Sequence, residues 1–193
     1  MKFYFTVAVA TILMTGTIKA QHVNFGIKGG LNLYTINSDD NTDFNTKAGF
    51  HAGVIGHIHL ARQFAVQPEI LYSAQGAKYT SEGVETKVNL GYINVPVMVQ
   101  YMFNNGFRLQ AGPQVVFLVH AKTETNDVSA DIKSNLNNID FALGAGVGYV
   151  NPRSGFGIDA RYNLGLSNIN DEGPAKSTNR GFQVGVFYLF TNK

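Results

Sequence analysis

Phe182-Gln183-Val184-Gly185-Val186-Phe187-Tyr188-Leu189-Phe190 has a period of two: Phe182, Val184, Val186, Tyr188 and Phe190 share one face, and Gln183, Gly185, Phe187 and Leu189 share the other. Alternation of this kind is the mark of a β-strand whose two faces meet different surroundings. The segment before it repeats the pattern with an unmistakable polar face: Phe156, Ile158, Ala160, Tyr162, Leu164 and Leu166 stand against Gly157, Asp159, Arg161, Asn163 and Gly165.

Working toward the N-terminus, the same period recurs six more times. Ile139 to Tyr149 sets its odd positions against Asp140, Gly144, Gly146 and Gly148, and Phe107 to Val119 opposes Arg108, Gln110, Gln114 and His120, with Val116 and Leu118 blunting the pattern. Ile93 to Tyr101, Phe64 to Tyr72, Phe50 to Leu60 and Phe25 to Leu33 complete about eight strands. Pro96 and Pro113 fall inside two of them and are expected at bulges or bends, because proline cannot donate to a sheet ladder.

The connections alternate in length. Ala61-Arg62-Gln63, Asn104-Asn105-Gly106 and Asn151-Pro152-Arg153-Ser154-Gly155 are short and rich in turn residues, whereas 37–46, 78–87, 122–138 and 168–179 are long and polar. Such alternation is expected of membrane barrels, with short periplasmic turns and long outer loops. The reading is all-β: an eight-stranded antiparallel up-and-down transmembrane β-barrel.

Eight strands enclose a lumen just wide enough to be filled by side chains. Residue size indicates which face turns inward. The polar faces are rich in glycine, which suits a cramped interior, while the opposite faces repeat Phe, Val, Ile, Leu and Tyr with almost no charge, as lipid demands. Phe25, Tyr72, Tyr101, Phe107, Tyr149 and Phe190 would supply interfacial girdles. Inside, Lys28, Glu69, Asp159 and Arg161 fall at similar depth counted from the short turns, with Gln67 and Gln183 beside them. Unpaired charges in so narrow a space would each cost several kcal/mol, so these side chains are expected to form a balanced polar plug.

At the N-terminus, Lys2, the apolar run Phe3 to Met14 and the small residue Ala20 have the form of a secretory signal peptide over 1–20, leaving 21–193 as the barrel domain. Its removal takes Lys2 and Lys19, so 15 basic against 13 acidic residues become 13 against 13, and no argument for nucleic acid remains. Cysteine is absent, which excludes disulfides and thiolate metal sites.

Candidate chemistry is sparse. His57 and His59 share a face with His51 at a spacing compatible with a metal, yet polar lining of a lumen is the preferred reading, so neither metal nor cofactor is expected. Ser73, His57 and Asp159 can be set out as a triad, but no nucleophile elbow supports it and no enzyme is expected.

The sequence resembles the PorT-type outer-membrane β-barrel family of Bacteroidetes-type bacteria. The resemblance is carried by Gly26–Asn32, Gly49–Gly53, Val66–Ser73 with Gln75-Gly76, Tyr92–Val97, Ala111–Gln114, Ala160–Tyr162 with Gly165-Leu166, and Asn179–Gly185. It implies an eight-stranded barrel in the bacterial outer membrane and makes Pro68, Pro96 and Pro113 expected features. It does not imply one function, since the named member assists a protein-secretion system. Expected partners are outer-membrane lipid, the barrel assembly machinery and another envelope protein met through the long loops. A narrow pore for small solutes is the alternative, with an outer-membrane enzyme ranked behind it. The terminal aromatic associated with barrel assembly stands three residues inward, at Phe190.

Overall fold

The computed structural model describes residues 23–39, 44–81, 83–126, 128–171 and 176–190; the expected signal peptide over 1–20 lies outside them. The elements are β1 (Val23–Ser38), β2 (Asn45–Ala61), β3 (Phe64–Ser81), β4 (Val84–Met102), β5 (Phe107–Thr125), β6 (Val128–Asp131), a 3-10 turn (Lys133–Asn135), β7 (Ile139–Val150), β8 (Phe156–Gly165) and β9 (Ser177–Phe190). Leaving β6 aside, each strand pairs antiparallel with two others, and β1 pairs with β9, so eight strands close into a ring. The short β6 adds a ninth strand by pairing with the far end of β5.

Closure sorts the side chains. Every second residue of β9 from Ser177 to Leu189 is buried and every intervening one from Arg180 to Phe190 exposed, and β8 and β7 nearly repeat this. Leu31 is 70% exposed, Phe25 67% and Val184 60%, which is untenable for so continuous an apolar band in water and natural against acyl chains. Aromatic rings gather at the short-turn end, where Phe64, Tyr101, Phe103 and Phe107 follow one another at centroid spacings of 5.3, 5.0 and 5.6 Å. Phe50–Tyr72 and Tyr162–Phe182 pair nearer the opposite end.

The short turns use glycine where the backbone requires it. Gly106 and Gly155 take φ of +90° and +73°, in the left-handed region that side chains disfavour. Asn151 Oδ1 accepts the amide of Arg153 at 3.0 Å, an Asx turn closing the β7–β8 link.

Three expectations are corrected. The long link 78–87 is mostly strand: β3 runs to Ser81 and β4 starts at Val84, paired along their length. Polar residues on both faces give this stretch the composition of a loop because it stands beyond the lipid. Pro96 and Pro113 are not at bulges. The β3–β4 register is the same on both sides of Pro96, from Pro68↔Val97 to Leu71↔Asn94, and Pro113 pairs in register with Leu143. The ladder loses rungs around Pro96 without slipping, since a missing donor interrupts pairing but inserts no residue. A slip in β5 occurs instead where Gly91↔His120 gives way to Tyr92↔Leu118, leaving Val119 without an opposite residue. His120 is therefore exposed outside the barrel and stacks on Tyr72 at 6.4 Å, and does not line the lumen. Val116 and Leu118, the apolar residues that blunt the polar face of β5, do point inward as their even positions require.

Those two belong to an apolar layer of Ile36, Val88, Leu90, Tyr92 and Ile169 that fills the lumen toward the long-loop end. Over it, two loops are latched together: Asn137 Nδ2 donates to the carbonyls of Asn168 and Asn170 at 3.1 and 2.9 Å, and the Asn137 amide donates to Ile169 at 2.9 Å.

The assignment of faces makes a direct prediction. Leu143→Arg, on the lipid face of β7, should cost about 2–4 kcal/mol if it lies near the midplane, while Ser134→Arg in the exposed 3-10 turn should stay within about 0.5 kcal/mol. Denaturant unfolding in lipid vesicles measures both.

Candidate functional site

The centre of the barrel holds four charged side chains from three parts of the ring. Lys28 comes from β1, Glu69 from β3, and Asp159 and Arg161 from β8, all at most 4% exposed. Two-residue periodicity sends Asp159 and Arg161 to the same side of β8, and closure carries Glu69 across to meet them.

Arg161 grips Glu69 with both terminal nitrogens, at 3.1 and 2.8 Å. Lys28 donates a hydrogen bond to Asp159 and lies 3.9 Å from Glu69, while Arg161 lies 3.7 Å from Asp159. The four make a closed quadrilateral of alternating sign. A bidentate guanidinium–carboxylate contact fixes orientation as well as distance, which a lysine alone does not do.

Neutral amides complete the layer. Gln67 Nε2 donates to Glu69 at 2.7 Å, Gln110 Oε1 accepts from Arg161 at 3.2 Å, and Gln110 Nε2 donates to Asp159 at 3.4 Å. Gln183 is buried beside Arg161, its register partner on β9, but its amide nitrogen finds no acceptor among the described residues. Gln110 was not singled out in the sequence, although its place two residues beyond Arg108 on the polar face of β5 was a sufficient signal.

Glycines make room for these long side chains. A Cβ at Gly148 would stand 3.2 Å from Arg108 Cγ and 3.3 Å from Asp159 Cβ, and one at Gly144 would stand 3.3 Å from Arg161 Cδ. The glycine run of β7 is thus the floor on which the charged chains lie.

The remaining polar candidates separate. Asp140 is buried near the long-loop end, where its Oδ1 accepts the Phe141 amide at 2.7 Å, and Arg108 sits near the short-turn end, so these two charges do not join the quadrilateral. His51 Nδ1 contacts Asn32 Oδ1 at 2.7 Å. His57 and His59 meet edge to face at 4.6 Å, away from His51. Ser73 accepts from Asn32 and Gln75, both at 3.0 Å, and Asp159 is held by Lys28, so Ser73, His57 and Asp159 are each engaged elsewhere and form no triad. Among the described residues no group of three or more His, Asp or Glu gathers as a metal site.

Comparison with known proteins agrees with this architecture. Residues 19–171 match the family described as outer membrane protein beta-barrel domain. Among solved structures, Neisserial surface protein A is similar over 88% of this chain and 99% of its own, at 14% identity and a TM-score of 0.60. Ail, the attachment invasion locus protein of Yersinia pestis, is similar over 86% of this chain and 98% of its own, at 18% identity and a TM-score of 0.54. At such identities the likeness is one of fold. No curated protein sequence matches.

The quadrilateral predicts an unequal response to two superficially similar changes. Glu69→Ala leaves two buried cations facing one carboxylate and should destabilise the barrel by about 3–5 kcal/mol, whereas Glu124→Ala, half-buried on the outer face of β5 where it accepts from Asn89 at 3.4 Å, should cost less than about 1 kcal/mol. Adding Arg161→Met to Glu69→Ala should recover part of the loss, read as a double-mutant cycle in denaturant unfolding.

Proposed function

Because this chain belongs to the outer membrane protein β-barrel domain family, we propose that it is a non-enzymatic, lipid-embedded barrel with a closed lumen that meets an envelope or extracellular partner through its long-hairpin end. The observation that carries this reading is the double filling of the lumen. An ionic layer of Lys28, Glu69, Asp159 and Arg161 occupies the middle, and an apolar layer around Tyr92 and Leu118 lies beyond it under the latched loops. A solute path would have to break buried ion pairs and then cross a dry layer, each step costing several kcal/mol.

With the interior occupied, the surface is what remains for function. β3, β4 and β5 have 18, 19 and 19 residues, well beyond the roughly 9–11 that cross a bilayer, so their far ends project as ordered sheet. That wall, continued by β6, is the proposed docking face. Export by a cleavable signal peptide at 1–20 and insertion by the barrel assembly machinery belong to the same reading, supported by the apolar run Phe3 to Met14 and the aromatic Phe190. Placement among the PorT-type barrels rests on the segments Gly26–Asn32, Val66–Ser73 and Tyr92–Val97.

Planar-bilayer recording of the purified protein tests the closed lumen. The expected outcome is no stable unitary conductance; sustained open steps would replace this reading with that of a narrow pore for small solutes. Pull-down from native outer membranes, with and without the β3–β4 hairpin shortened above the lipid, tests the docking face, and the partner should be lost with the hairpin.

A further inference from the structure

At the short-turn end the lumen opens into a cavity of about 280 Å³. His57, His59 and Arg108 line it, Arg62 stands at the β2–β3 turn, and Phe103 and Leu189 supply apolar wall. Among the described residues around it there is no Asp or Glu.

Arg108 is 2% exposed and, among the described residues, has no carboxylate within ion-pair distance. Its Nη1 donates to the neutral oxygens of Gln100 at 3.0 Å and Gln67 at 3.4 Å, and its guanidinium lies 4.9 Å from the centre of the Phe187 ring. Nearby, Glu69 and Asp159 are already matched by Lys28 and Arg161, so the mid-lumen and the cavity together hold three buried cations against two carboxylates, with the exposed Arg62 adding a fourth cation at the cavity mouth. Two buried nitrogens at this end, Arg108 Nε and His57 Nδ1, make no hydrogen bond to the protein. A buried guanidinium with no counter-ion is costly, and an oxyanion seated in the adjoining cavity supplies the missing charge.

We propose that this cavity is a binding site for a small organic anion, its carboxylate or phosphate group held by Arg108 and His57 and its compact apolar body resting on Phe103 and Leu189. The cavity is at the lower limit of typical ligand pockets, roughly 300–1,000 Å³, which restricts the ligand to a small molecule. Short turns face the periplasm in outer-membrane barrels, so the ligand would enter from that side. That side of entry rests on the membrane orientation, whereas binding itself does not.

Isothermal titration of the refolded full chain in detergent micelles, at constant ionic strength in sodium chloride, tests the site with inorganic phosphate and benzoate as separate probes. Saturable binding of at least one probe is expected, and the better probe identifies the head group. Arg108→Gln should weaken it about tenfold or more, the scale of one charge-assisted contact, and Arg62→Gln at the exposed turn should weaken it by a smaller factor while retaining heat-modifiable migration on gels. On adding the probe, the imidazole NMR signals of His57 should shift, and those of His51, beyond the ionic layer, should stay in place. Absence of saturable binding by either probe overturns the proposal, as does unchanged affinity in the Arg62→Gln and Arg108→Gln proteins, or a shift at His51 without one at His57.

Discussion

Within hydrocarbon no water is available to satisfy a backbone amide, so a sheet that enters lipid must close on itself. The pairing of β1 with β9 meets that requirement. Once the ring contains only eight strands, the middle of the interior is too narrow for free solvent and too polar, given Lys28, Glu69, Asp159 and Arg161, to stay empty. The ion-pair quadrilateral is thus a consequence of closure rather than an ornament added to it. The glycine floor of β7 follows in turn, because guanidinium chains cannot lie flat across a row of Cβ atoms.

The two ends of the lumen solve the same problem differently. Toward the long loops the filling becomes apolar, and Val116, Leu118 and Ile169 exclude water without needing partners. Toward the short turns the filling stays cationic and leaves a cavity. A barrel sealed at one end and hollow at the other is polar along its axis, and the imbalance follows directly from which residues alternate inward on β2 and β5.

The period of two made the ring, its faces and the depth of the four central charges readable from sequence, because rise per residue is constant and the short turns give a common origin for counting. What it could not show has specific causes. The slip at Val119 turns His120 outward, and a one-residue bulge carries no compositional mark. Val116 and Leu118 looked like noise because an inward face is expected to be polar, and here it changes character along the axis. Residues 78–87 looked like loop because a strand above the membrane is wetted on its outer side and loses its contrast. The prolines misled in the opposite sense: Pro96 and Pro113 suggested distortion, but the register is kept across both.

The unequal strand lengths have a consequence for engineering. β4 has 19 residues and β8 has 10, so one side of the barrel outreaches the other by nine residues, which at about 3.3 Å each and a tilt of roughly 40° is some 20 Å of height. A peptide spliced into the β3–β4 turn would be carried on a pre-built mast, clear of the lipid and of its neighbours. Its geometry would be inherited from the barrel, so the chain offers a rigid display scaffold in which the guest sequence, and not the linker, decides what is presented.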